Sequence, residues 1–249
     1  LGAQGGGDAP LVELVERPGA HPVPRRGRLG LYHVALLLPD RPALGRFVQH
    51  LAALHVHAGS ADHAVSESLY LTDPDGLGIE VYADRPSQTW QINASELYMT
   101  VEPLDLDDLV RGAGGVPWTG APVGTVIGHV HLHVGALEGA SAFYHSAIGF
   151  DKTAWSFPGA LFLAAGGYHH HLGTNIWAVG AAASTAADAR LLEWEIVLPD
   201  ADAVERAAKS IAGAGFRIDA GNGDRLTADP WGTSLRLRPD KIATTPPDG

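Results

Sequence analysis

The sequence predicts an α+β protein assembled from repeated units of one strand, one helix and three further strands. Three observations predict it. Three segments open with a candidate metal ligand and alternate into an apolar run: residues 31–36 (Leu-Tyr-His-Val-Ala-Leu), 127–132 (Ile-Gly-His-Val-His-Leu) and 192–197 (Leu-Glu-Trp-Glu-Ile-Val). Each leads into a stretch with apolar residues at helical spacing. Two units close on a matching turn and strand, Asp73-Pro74-Asp75-Gly76 before residues 79–82 and Asp229-Pro230-Trp231-Gly232 before residues 235–238. Self-similarity of this kind marks one supersecondary unit used repeatedly.

In the earliest complete unit, residues 31–38 form the opening strand. Leu44, Phe47, Val48, Leu51 and Leu54 then share one face of a helix over 40–54, with Asp40 as its N-cap. Strands follow at 68–71 and, after the 73–76 turn, at 78–83. The next unit runs from a strand at 128–134 to a helix at 137–148, with Leu137, Phe143, Tyr144 and Ile148 as its apolar stripe and Gly149 as its stop. Strands at 160–165 and 168–174 complete it. In the last unit a strand at 191–198 precedes a helix at 203–214, where Asp202 and Glu205 have capping-box spacing. Strands at 216–218, 226–228 and 234–237 end it.

Residues 85–125 are irregular and rich in Pro and Gly, and read as an interdomain connection with one short helix at 106–111. The Ala- and Ser-rich stretch 179–189 reads as a mobile loop. Residues 11–15 (Leu-Val-Glu-Leu-Val) read as a strand closing a unit whose front half is not in the sequence. The expected organisation is an N-terminal domain at 1–85, a linker at 86–125 and a C-terminal domain at 126–240.

Composition narrows the function. With 249 residues, 45% apolar and 18% charged, the chain has the make-up of a soluble globular protein. Its formal net charge of −11 opposes binding to nucleic acid. No apolar run approaches the roughly 20 residues that span a bilayer, and no basic-then-apolar leader opens the sequence. The absence of cysteine excludes disulfides, thiolate metal sites and thiol nucleophiles, and fits a reducing cytoplasm. Metal chemistry is left to carboxylates and thirteen histidines, a donor set suited to Fe(II), Mn(II), Ni(II) or Zn(II).

The phrases Gly30-Leu31-Tyr32-His33, Ser60-Ala61-Asp62-His63-Ala64-Val65-Ser66-Glu67, Asp73-Pro74-Asp75-Gly76, Gly128-His129-Val130-His131-Leu132-His133 and Gly166-Gly167-Tyr168-His169-His170-His171 resemble the vicinal oxygen chelate superfamily. They are most similar to its four-module catechol-2,3-dioxygenases. The resemblance implies βαβββ modules paired into two cupped-sheet domains, the first module incomplete here. It also implies a metal held by two His and one Glu. Position by position, His33 matches one His and Glu80 the carboxylate, while the other His falls before Leu1. His63 matches an acid–base histidine and Tyr70 an active-site tyrosine. A weaker second site would use His129, His170 and Glu193, although Arg236 stands where its carboxylate is expected.

The implied activity is Fe(II)-dependent extradiol cleavage of a catechol-like aromatic diol by O₂, by a cytoplasmic enzyme and possible homodimer that touches neither membrane nor nucleic acid. Two alternatives are a glyoxalase-type metal-dependent isomerase or lyase and a metal-free protein that sequesters a small molecule, as bleomycin-resistance relatives do. Trp155, Trp177 and Trp194 would suit the latter's pocket. His131 and His133 read as satisfied core histidines. His21, His50, His55, His57 and His145 read as surface residues.

Overall fold

The computed structural model of the chain describes residues 1–5, 10–24, 27–221 and 223–240. The first repeat comprises β1 (Gly30–Leu37), α1 (Arg41–Ala53), β2 (Gly59–Asp62), β3 (Ser66–Thr72) and β4 (Gly78–Asp84). A connection follows, with a small hairpin of β5 (Ile92–Asn93) and β6 (Glu96–Leu97) and the helix α2 (Leu106–Gly112). The second repeat has β7 (Val126–His133), α3 (Leu137–Ala140) continuing as a π-helical stretch (Ser141–Ile148), β8 (Asp151–Ala154), β9 (Ala160–Ala164) and β10 (Leu172–Asn175). The third has β11 (Trp194–Leu198), α4 (Ala201–Gly213), β12 (Ile218–Ala220), β13 (Arg225–Ala228) and β14 (Ser234–Pro239).

Each repeat is wired identically. The opening strand lies parallel to the closing one, β1 beside β4, β7 beside β10 and β11 beside β14, and the two middle strands run outward from there. Parallel neighbours need a crossover, and the helix of each unit supplies it.

The first two units share one sheet of eight strands, ordered β2-β3-β4-β1-β7-β10-β9-β8, because β1 and β7 pair antiparallel. The third forms its own four-stranded sheet. The division expected at 86–125 is therefore not where the sheet divides: hydrogen bonds join strands from 1–85 to strands from 126–240. Each opening strand has one edge without a partner inside its own unit, and pairing the two edges satisfies both backbones. The strand expected at 11–15 does not form. Leu14 and Val15 are exposed there, with no ladder to alternate against.

Helices cover the convex face. α1 and α2 bury Leu44, Leu51 and Leu109 against Leu69 and Val81 of the first unit. The π-helical stretch buries Phe143 and Tyr144 in a core that also takes Trp194, Ile211, Leu235 and Leu237, so the third unit docks through its helix side. Asp40 caps α1 by accepting the Ala43 N–H at 2.7 Å. Asp200, not a box of Asp202 and Glu205, caps α4 by accepting the Ala203 N–H at 2.7 Å. The Leu-Pro-Asp phrase at 38–40 and 198–200 thus places the same cap twice. Gly149, at φ 104°, ends the π-helical stretch in the left-handed region. Residues 168–171 are not strand, and β10 begins only at Leu172.

Candidate metal centre

Side chains alternate across a strand, so β1 turns His33 and Ala35 towards the concave face. Register does the rest. Ala35 is level with Glu80 in β4 on one side and with His129 in β7 on the other. Alanine carries only a methyl group, which leaves room above it for both neighbours to lean inward. His33 Nε2 lies 2.9 Å and His129 Nε2 3.0 Å from the same oxygen, Oε2 of Glu80. The two Nε2 atoms are 3.3 Å apart. All three residues are buried.

Ligands at right angles on bonds of about 2.1 Å are about 3.0 Å apart, so this donor triangle fits one small divalent ion. Among the described residues it is the one group of three His, Asp or Glu that could hold an ion. The electrostatics agree with ligation. Burial alone would raise the Glu80 carboxyl, but His129 and His33 hold it well below the usual carboxylate range. Burial pushes the His129 imidazole down to about 4, against the opposing pull of Glu80. A neutral imidazole and an ionised carboxylate are the metal-binding forms.

The structure brings His33 and Glu80 together, as the resemblance implied. The donor that completes the group in this structure is His129, because the two units that pair are those opened by β1 and β7. The second site over His129, His170 and Glu193 is not assembled. Glu193 lies just before β11 of the other sheet, accepting from Arg236 Nε and Nη2 at 2.7 and 3.1 Å. His170 has its Nδ1 2.7 Å from Nδ1 of His169.

Tyr70 is level with Glu80 across the β3–β4 ladder. Its hydroxyl is 2.5 Å from Nε2 of His63, whose Nδ1 is 2.7 Å from the carbonyl of Thr100. A carbonyl only accepts, so the His63 proton is on Nδ1 and Nε2 accepts from Tyr70. Burial and the Glu80 charge raise the Tyr70 phenol well above its ordinary range.

Several neighbours carried no signal in the sequence. The β1–β7 register slips between Leu31 and His33, a bulge at Tyr32. Bulges re-aim side chains, and Tyr32 lies with His33 against His131, His133 and Trp177 at ring separations of 4.7–5.5 Å. His131 Nε2 accepts from the Asn175 amide at 3.0 Å, and His133 Nδ1 donates to the Asn175 oxygen at 2.7 Å. These two are hydrogen-bonded, as expected. Met99 packs on the Ala154–Ala160–Phe162 cluster and Trp90 on His169. With Thr100, they make the supposed linker a wall of the concave face. Of the three tryptophans, Trp194 is buried in the core beside Tyr144, away from the cup. A separate cleft of about 470 Å³ is lined by Asp62, Arg85, Tyr98, Thr100 and Glu102 and excludes the three donors.

Repeated βαβββ units cupped around a buried His–Glu–His group are the arrangement that the resemblance to vicinal oxygen chelate proteins implies. Catechol-2,3-dioxygenase of Bacillus subtilis (strain 168) is 44% identical over 223 residues, 88% of this chain and 78% of that protein. The chain belongs to the vicinal oxygen chelate superfamily, in the family of that dioxygenase. No protein-family model matches it. The crystal structure of a putative dioxygenase from Bacillus subtilis subsp. subtilis str. 168 superposes with a TM-score of 0.58 at 10% identity, over 85% of this chain. The chain spans 62% of that structure's length, and the likeness shows the shared fold. A lactoylglutathione lyase from Agrobacterium tumefaciens matches 48% of the chain at 18% identity, with a TM-score of 0.37.

Proposed function

We propose that the protein is an extradiol ring-cleaving dioxygenase, acting on a catechol-like aromatic diol with Fe(II) and O₂. The observation that carries this reading is the buried triangle of His33, Glu80 and His129 with the Tyr70–His63 pair beside it. The 44% identity to a protein named catechol-2,3-dioxygenase supports it. The reaction breaks the ring bond beside the two hydroxylated carbons, and both atoms of O₂ enter the product.

His33, Glu80 and His129 would hold the metal. Bound there, Fe(II) would supply Lewis acidity towards the diol oxygens and a place for O₂ next to them. The chain's own residues do the rest. Burial of the three donors keeps water from competing for their lone pairs. Tyr70, donating to His63, turns its oxygen lone pairs towards the diol, so a diol proton passes through the Tyr70 hydroxyl to Nε2 of His63. The carbonyl of Thr100 fixes the His63 ring in the tautomer that can receive it.

Neither alternative gains from the geometry. A sequestering protein was suggested by a missing third donor and by the degenerate C-terminal positions; His129 beside His33 and Glu80 weighs against the first ground. A glyoxalase-type site needs a second carboxylate ligand, and the group has one.

The test is anaerobic purification, iron analysis, and addition of catechol and O₂ with detection of the yellow ring-opened product. About one iron per chain with colour formation is expected. Glu80→Ala should lose the iron and the colour while its thermal unfolding transition stays cooperative. Iron-free protein with no colour after reconstitution would end this reading.

A further inference from the structure

Three consecutive imidazoles lead into β10, and the middle one reaches the donor group. The His170 ring lies 4.1 Å from the His129 ring, centroid to centroid, and is buried. Its Nδ1 is 2.7 Å from Nδ1 of His169. His169 is fully buried, and its Nε2 lies 2.8 Å from Oδ1 of Asp84 at the end of β4. The same oxygen accepts the Tyr168 hydroxyl at 3.2 Å. A carboxylate of the first unit therefore grips the loop of the second.

These contacts fix where the protons are. A carboxylate only accepts, so His169 carries its proton on Nε2. A neutral imidazole has one N–H, which leaves Nδ1 of His169 bare. The 2.7 Å contact then requires a proton on Nδ1 of His170, and Nε2 of His170 is left as an acceptor. That atom makes no hydrogen bond among the described residues. In the sheet, Tyr70 is on the β3 side of the donor group and His170 on the β10 side.

We infer that Asp84 is a positioning residue that acts through His169. It fixes the tautomer of His170 so that Nε2 accepts a hydrogen bond from a hydroxyl of the bound diol, across the donor group from Tyr70. The identity of the ligand rests on the dioxygenase reading; the tautomer does not.

Long-range ¹H–¹⁵N correlation on histidine-labelled protein, metal-free and zinc-loaded, reads the tautomer directly. The His170 signals are those lost in His170→Gln. Wild type should show His170 protonated on Nδ1. Asp84→Asn, whose amide can donate as well as accept, should mix the two tautomers while metal content stays unchanged. With catechol, Asp84→Asn should lower kcat roughly 10- to 100-fold, and Asp84→Glu should recover part of it. A wild-type His170 protonated on Nε2, as a doubly protonated His169 would produce, overturns the inference. So does Asp84→Asn with an unchanged tautomer. If wild type fails to cleave catechol, the dioxygenase reading falls, and the tautomer spectra alone decide the Asp84–His169–His170 relay.

Discussion

Ala35 shows how one small side chain makes room for the candidate centre. It is fully buried, flanked by Glu80 in one neighbouring strand and His129 in the other. Ala35→Leu should place three more carbons where the donors converge. Bound metal, measured by elemental analysis, should fall at least tenfold, while overpacking costs about 1–3 kcal/mol of stability. Undiminished metal would show that the donors do not meet above Ala35. Tyr70→Phe removes the hydroxyl that donates to His63, and His63→Gln removes its acceptor. Both should keep iron and lower kcat by roughly 10²–10⁴-fold. A Tyr70→Phe enzyme of wild-type rate would uncouple the pair from the chemistry. His33 and His63 stand in local phrases and Glu80 follows the 73–76 turn, whereas Tyr70 was singled out by its distance from Glu80 through the family resemblance. The fold sets Tyr70 level with Glu80 and against His63. Tyr32 was not legible in the sequence, because a bulge in strand register aims it at the cup.

Among elements, helices were read to within a few residues, since their caps and apolar stripes are written locally. The Leu-Pro-Asp phrase is the clearest case: it starts both α1 and α4, and Asp200 overrides the nearby Asp202–Glu205 spacing. Strands were less legible. Residues 11–15 alternate well enough but have no neighbour to bond, and the His169–His171 tract is a loop held by Asp84 and its own neighbours. Packing between elements left a mark in the sequence at Gly45. There α1 crosses α2 so closely that an added Cβ would strike the carbonyl oxygen of Leu109. Gly45→Ala should therefore push the helices apart despite alanine's better helix propensity. A loss of about 1–3 kcal/mol is expected in denaturant unfolding; any gain in stability would contradict the close approach.

At the scale of the molecule, burying neutral imidazoles makes the metal-free fold sensitive to acid. His129 titrates at about 4 when folded and at about 6.5 when unfolded. The unfolded chain thus binds more protons between those values, and stability is lost as pH falls from about 6.5 towards about 4. By pH 5 this group alone removes about 2 kcal/mol. His131 and His170, also lowered by burial, act in the same direction. The melting temperature of metal-free protein should fall by several degrees from pH 7 to pH 5, and metal should oppose the fall. A flat profile across that window would mean that these rings are protonated in the folded state.

The sequence by itself determined the repeating βαβββ unit, its helix caps and the kinds of donor each opening strand offers, because periodicity, caps and turns are set by residues a few positions apart. Only the tertiary structure decided which units join. Backbone edges pair according to which strands lack a partner, a property of the assembled sheet that no local phrase encodes. That one pairing, β1 with β7, moved His129 from a supposed second site into the group with His33 and Glu80 and turned a presumed linker into a wall of the cup.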